Sequence, residues 1–121
     1  MTNNYARGQH DTRPWGTWEV IDCGEGFCVK RITVNAGGIL SLQLHHYRAE
    51  HWIIVAGTAT IILGERQLEK KQSESVYIPV ETKHRIQNNT DAPLIFIEVQ
   101  TGENLDENDI VRFEDKYGRA K

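Results

Sequence analysis

Ser41-Leu42-Gln43-Leu44-His45-His46-Tyr47-Arg48-Ala49-Glu50-His51-Trp52-Ile53-Ile54-Val55-Ala56-Gly57 is the stretch from which the fold of this chain is read. Successive side chains of a β-strand point to opposite faces. In extended form Leu40, Leu42 and Leu44 share one face, and Ser41, Gln43 and His45 share the other. A polar break at 47–49 lets the chain reverse, and Glu50 can return from the next strand to the side that carries Gln43 and His45. Gly57 then closes the strand as a turn residue.

A second cluster lies downstream: Pro79, then His84, then Asn88. His84 must reach the first cluster from a third strand. Two imidazoles, a carboxylate and an amide oxygen form a mixed N/O donor set. Gln43, His45, Glu50 and His84 are therefore the expected ligands of one divalent ion, with Zn²⁺ first and Mn²⁺, Co²⁺, Fe²⁺ or Ni²⁺ compatible. Four protein ligands leave coordination positions open for substrate oxygens. The competing reading is that of ordinary buried histidines with satisfied hydrogen bonds. Burying an amide and a carboxylate beside them without a cation argues against it. His46 and His51 fall on the opposite parity and stay outside the ligand set. His10 sits in a polar segment.

Outward from these clusters, strand-like runs recur at 27–34, 39–46, 50–56, 58–63, 67–71, 75–78, 84–88 and 94–100, separated by Gly, Asn and other turn residues. Turn signals at this spacing predict an all-β barrel or sandwich. The acidic stretch 105–117 reads as a short helix or an extended tail. The first dozen residues are polar and are expected to be mobile, which leaves one domain over 13–121.

With 121 residues the chain can bury roughly two-thirds of the surface exposed on unfolding, so it needs no disulfide staples. A net charge of −3, with 39% hydrophobic and 26% charged residues, gives no reason to expect a nucleic-acid or membrane partner. Apolar runs are too short to span a bilayer, and no signal-like segment opens the sequence. Cys23 and Cys28 lack a second pair with which to form a zinc knuckle and read as two reduced thiols of a cytoplasmic protein.

The two clusters resemble the two cupin motifs, with Gln43 in place of the first histidine, Gly37 at the first motif's opening glycine, and Ser73 where the second motif opens with glycine. Further stretches resemble one subfamily, the C-terminal cupin domain of type II mannose-6-phosphate isomerases, which are often fused to mannose-1-phosphate guanylyltransferases. These are Arg13-Pro14-Trp15-Gly16, Leu40-Ser41-Leu42-Gln43-Leu44-His45, Arg48-Ala49-Glu50-His51-Trp52, Glu98-Val99-Gln100-Thr101-Gly102, and Asp109-Ile110-Val111-Arg112 with Asp115-Lys116-Tyr117-Gly118-Arg119. The resemblance implies a double-stranded β-helix (jelly-roll) barrel and metal-dependent interconversion of mannose 6-phosphate and fructose 6-phosphate, a step toward GDP-mannose. No glycine-rich nucleotide loop occurs, so guanylyl transfer is not expected.

Within that frame, Lys30 and Glu98 are the candidates for the catalytic base. Lys30 is the charged residue of an apolar strand, with the parity of Ile32 and Val34. Burial would lower its pKa. Glu98 shares a side with Gln100. A phosphate needs cations, for which Arg13, Arg48, Lys83, Arg85 and Arg112 are available. Arg13 and Arg112 lie inside matched stretches, and Ser41 can donate to a sugar hydroxyl. Trp15, Trp18 and Trp52 read as core aromatics before sugar-stacking ones. The alternative function is a non-catalytic metal cupin that binds a sugar phosphate or sugar nucleotide beside a separate guanylyltransferase. An iron oxygenase ranks last, because Gln43 replaces a histidine. Small barrels with open strand edges commonly pair, so a homodimer is expected.

Overall fold

Strict alternation of burial along three long strands decides how the chain closes on itself. The structure, a computed structural model, describes residues 2–118. In order, the strands are β1 (Thr2–Asn3), β2 (His10–Arg13), β3 (Gly16–Gly24), β4 (Phe27–Val34), β5 (Leu42–Leu44), β6 (Arg48–Ala56), β7 (Thr58–Leu63), β8 (Arg66–Lys71), β9 (Ser75–Ile78), β10 (His84–Gln87), β11 (Leu94–Gly102), β12 (Asn104–Leu105) and β13 (Val111–Glu114). A six-stranded sheet runs β2-β3-β4-β11-β6-β9 and faces a five-stranded sheet β13-β5-β10-β7-β8. Among the described residues no helix is long and apolar enough to cross a membrane.

Inward-facing positions change chemistry along each strand of the larger sheet. On β11, Leu94 and Phe96 are followed by Glu98 and Gln100. On β4, Val34 and Ile32 are followed by Lys30. On β6, Ile54 and Trp52 are followed by Glu50. The register aligns these transitions: Glu98 lies opposite Lys30 on one side and Trp52 on the other, and Gln100 lies opposite Glu50. One end of the barrel is thus a conventional core, closed by Ile61 and Ile86 from the facing sheet. The other end buries ionisable groups.

Of the two readings of the stretch 105–117, the extended one holds. Its strand β13 adds to β5 and places Arg112 opposite Gln43. The first dozen residues, read from their polarity as a mobile segment, make ordered contacts: β1 pairs in parallel with β12, β2 pairs with β3, and the Tyr5 side chain is buried. Tyr5 is the aromatic in that polar run, and its burial draws the backbone around it inward. Arg119, at the end of the last matched stretch, lies outside the described residues.

Turn geometry explains the glycine pattern. Gly57 has φ of 86°, and a Cβ there would stand 2.6 Å from the carbonyl oxygen of Pro93, so both conformation and space require glycine. Ser73 and Glu81 also lie in the left-handed region, with φ of 75° and 57°. The backbone keeps a glycine conformation where the sequence has a side chain. Asn88 is a loop clamp: its amide donates to the carbonyls of Val34, Asn35 and Ala92, and its oxygen accepts from Thr90.

A non-glycine residue at positive φ costs about 1–3 kcal/mol, against about 0.4–1 kcal/mol of unfolded-state entropy added by glycine. Ser73→Gly and Glu81→Gly should therefore each stabilise the protein, by about 0.5–1 kcal/mol, in urea denaturation; a lower midpoint for both would contradict this account of the turns.

Candidate metal centre and its cation-lined cavity

The first cluster forms where β5 ends and the chain reverses into β6. The turn is fixed from afar: the Asp109 carboxylate accepts from the backbone N–H groups of His46 (2.8 Å) and Tyr47 (3.0 Å). The Asp109 carbonyl oxygen takes the Nδ1 proton of His45 at 2.6 Å. His84, opposite Gln43 in the β10–β5 pairing, gives its Nδ1 proton to the Thr82 carbonyl at 2.8 Å. A carbonyl can only accept, so each ring carries its proton on Nδ1 and turns the Nε2 lone pair inward. Their rings lie 5.0 Å apart.

His45, Glu50 and His84 present ligand atoms that all lie within 4.8 Å of one another, and all three residues are buried. Gln43 and His84 line the same small space as Glu50 and Glu98, of about 30 Å³. Burial lowers both imidazoles, His45 to about 4, so at neutral pH each is in the form that binds metals. Burial opposes the charge on Glu50, but Arg48 and then His45 outweigh it and hold the carboxyl well below the usual range. These residues fit a divalent cation in protonation state, tautomer and convergence.

Glu50 is fully engaged. Its Oε1 accepts from Trp52 Nε1 at 2.8 Å, and its Oε2 accepts from Arg48 Nε at 2.8 Å and stands 3.2 Å from His45 Nε2. Trp52 is thus a positioned hydrogen-bond donor packed against His84 and Phe96 rather than a sugar platform. Glu98 behaves oppositely. Burial and the neighbouring Glu50 charge push it up to about 8, so it is protonated at neutral pH and hydrogen-bonds Glu50. Two carboxyls in one dry site share a single charge. Gln100 Nε2 donates to Glu98 Oε2 at 3.0 Å.

Gln43 and Glu98 also form part of the wall of a larger cavity of about 70 Å³, where Arg13, Lys30, Arg48 and Arg112 gather with Ser41. Lys30 does face inward, but it is not isolated there. Its Nζ pairs with Glu107 Oε2 at 2.6 Å, touches the Tyr5 hydroxyl at 3.2 Å and sits over the Tyr5 and Trp18 rings. Arg13 reaches Glu107 Oε1 at 3.6 Å and Asp11 at 3.2 Å. Arg85 is placed differently. It borders the small space but spends its guanidinium on the carbonyls of Leu40 and Glu114, tying β13 to the barrel. Lys83 is over the Phe113 ring. His46 is half exposed near Glu81, and His51 stacks on Tyr77 outside the barrel. Cys23 and Cys28 face each other across β3 and β4 without a disulfide.

Tyr5, Glu107 and Asp109 escaped the sequence reading. No local pattern marks them, since each acts on residues 18 to 102 positions away.

A double-stranded β-helix with an inward His/Glu/His cluster at one end defines the protein as a cupin. Residues 2–115 match the family described as mannose-6-phosphate isomerase C-terminal, and the chain belongs to that family. It is 56% identical over 108 residues to the xanthan biosynthesis protein XanB of Xanthomonas campestris pv. campestris, covering 89% of this chain and 23% of that protein. It is 50% identical to the mannose-1-phosphate guanylyltransferase ManC of Salmonella typhimurium, covering 89% and 22%. The chain therefore spans about a quarter of the length of these relatives. An oxalate decarboxylase from Lactobacillus farciminis superposes with a TM-score of 0.75 at 22% identity, over 87% of this chain and 33% of that one. A double-stranded β-helix protein from Klebsiella pneumoniae does so with 0.70 at 16%, over 93% and 85%. At these identities the likeness concerns the fold.

The Lys30–Glu107 pair gives a pH test. Burial opposes ionisation of Glu107, but Lys30 outweighs it and brings the carboxyl down from 4.5 to about 2. A depressed carboxylate contributes its stability above its unfolded pKa and loses it as pH falls toward its folded one. The stability gap between the wild type and Glu107→Gln should be constant from pH 7 down to the unfolded value and should close between 4.5 and about 2 in a series of urea titrations.

Proposed function

We propose that this chain is a metal-dependent aldose–ketose isomerase acting on mannose 6-phosphate and fructose 6-phosphate. The observation that carries the reading is the wall shared by two unlike spaces. Gln43 and Glu98 line both the small space beside Glu50 and His84 and the cavity with four cationic side chains. A phosphorylated sugar has this bipolar shape, with an anionic group at one end and vicinal oxygens at the other. Membership of the family supports the same substrate class.

Gln43, His45, Glu50 and His84 would hold the ion, Zn²⁺ fitting the donor set best. Once bound, it would supply Lewis-acid stabilisation of charge on the C1 and C2 oxygens. Arg13, Lys30, Arg48 and Arg112 would receive the phosphate, and Ser41 a sugar hydroxyl. Trp18 Nε1, buried without a partner among the described residues on the cavity wall, adds a donor awaiting an acceptor. Glu98 is the better candidate for the proton carrier, because Lys30 is an ion-paired ammonium. Burial is the first cause of the raised Glu98 value and the Glu50 charge the second; a bound ion balancing Glu50 would remove the second and favour the base form. Glu98 can then take the C2 proton and return it to C1, while Gln100 orients its Oε2.

The second reading, binding without turnover, is favoured by the protonated state of Glu98. A coupled assay with mannose 6-phosphate on metal-loaded protein separates the two; binding in calorimetry with no turnover under any of several divalent ions would leave the non-catalytic reading. In the isomerase reading, Glu98→Gln should lower kcat by about 10²-fold or more while retaining the metal.

Elemental analysis should show Gln43→Ala and His84→Ala depleted of metal and His51→Ala loaded like the wild type; equal loading of all three would end the metal assignment. Exposed Ile53, Val55 and Tyr77 on the outer side of β6 and β9 support a homodimer, which sedimentation equilibrium should show as twice the 13.9 kDa chain mass.

A further inference from the structure

His45 Nε2 and Glu50 Oε2 stand 3.2 Å apart. Both are electron-rich, because the Asp109 carbonyl fixes the His45 proton on Nδ1. Two lone pairs at that separation repel unless positive charge bridges them. Arg48 supplies it: Nε donates to Glu50 Oε2 at 2.8 Å, and Nη2 reaches His45 Nε2 at 3.3 Å. The remaining nitrogen, Nη1, is anchored to the Tyr5 hydroxyl and the Asp106 carbonyl, both at 3.2 Å. The guanidinium therefore occupies the lone pair that a metal ion requires from His45.

We propose that Arg48 is a resident cation that competes with the metal for His45 and Glu50, so that metal entry expels its Nη2 from His45 and turns the guanidinium toward the cation-lined cavity. This rests on the assignment of His45, Glu50 and His84 as ligands. One lone pair cannot serve both partners, and a guanidinium next to a divalent ion repels it. Arg48 keeps the ligands apart from each other and correctly turned while the ion is absent, and it resists the ion as it arrives. The N-terminal strap shares in this, since the Tyr5 hydroxyl is one of the contacts that hold Arg48 in place.

The test is titration of the full-length, chelator-stripped chain with Co²⁺, followed by calorimetry and by the visible absorption of the bound ion. Arg48→Gln should bind Co²⁺ about tenfold or more tighter than the wild type. Tyr5→Phe removes one anchor of Arg48 together with the hydroxyl's contacts to Glu107 and Lys30, leaves the ligands untouched and should tighten binding about threefold. It decides the matter if Arg48→Gln does not fold. Arg31→Gln, on an exposed arginine paired with Glu19, should bind as the wild type does. Unchanged or weaker binding in both test variants, with the wild type binding normally, would overturn the competition and make Arg48 a support of the metal site. Absence of Co²⁺ binding in the wild type and every variant would instead remove the ligand assignment and this inference with it.

Discussion

Much of this molecule follows from burying one carboxylate. Glu50 is 1% exposed, and a charge so far from water is tolerable only where hydrogen bonds and opposite charge replace the lost hydration. Trp52 and Arg48 supply them from the same strand, two residues away on either side, which strand periodicity places on the same face. Arg48 is itself buried and in turn needs acceptors. It finds them in the Tyr5 hydroxyl and the Asp106 carbonyl, so the N-terminal segment and the 104–109 segment are drawn over the end of the barrel. Tyr5 then meets Lys30, and Lys30 meets Glu107.

The network explains why the barrel has two unlike ends. Where β4, β6 and β11 carry Ile32, Val34, Ile54, Leu94 and Phe96 inward, the core is held by apolar burial. Two or four residues further along the same strands, Lys30, Glu50, Glu98 and Gln100 occupy equivalent inward positions. An apolar floor beneath a charged chamber lowers the local dielectric and makes each charge felt by its neighbours. That is why Glu50 and Glu98, chemically alike, have opposite protonation states, and why both imidazoles are neutral.

The overall charge of −3 says little about the chamber, which gathers Arg13, Lys30, Arg48 and Arg112 around a small volume. Acidic residues are spread over the outside, while Glu107 is recruited to balance Lys30 and Arg13. A site of this polarity suits an anion larger than a lone ion, with its second end directed at the His/Glu/His cluster. The proposed sugar-phosphate substrate rests on this polarity together with the family match.

The sequence by itself determined the class of fold, most strand positions and the inward faces that carry His45, Glu50 and His84, because those depend on a two-residue period and on short turn-bounded spacings. Strand 27–34 and strand 75–78 lie where that period places them. It also set Lys30 and Glu98 inward. The tertiary structure alone decided which partners those groups meet. Lys30 and Glu107 are 77 residues apart and His45 and Asp109 are 64 apart, so no local pattern could link them. Nor could parity reveal that Arg85 serves carbonyls and Arg48 serves the ligands. A repeat of two fixes the face on which a side chain lies, whereas its protonation and its partner depend on charges delivered by distant parts of the chain.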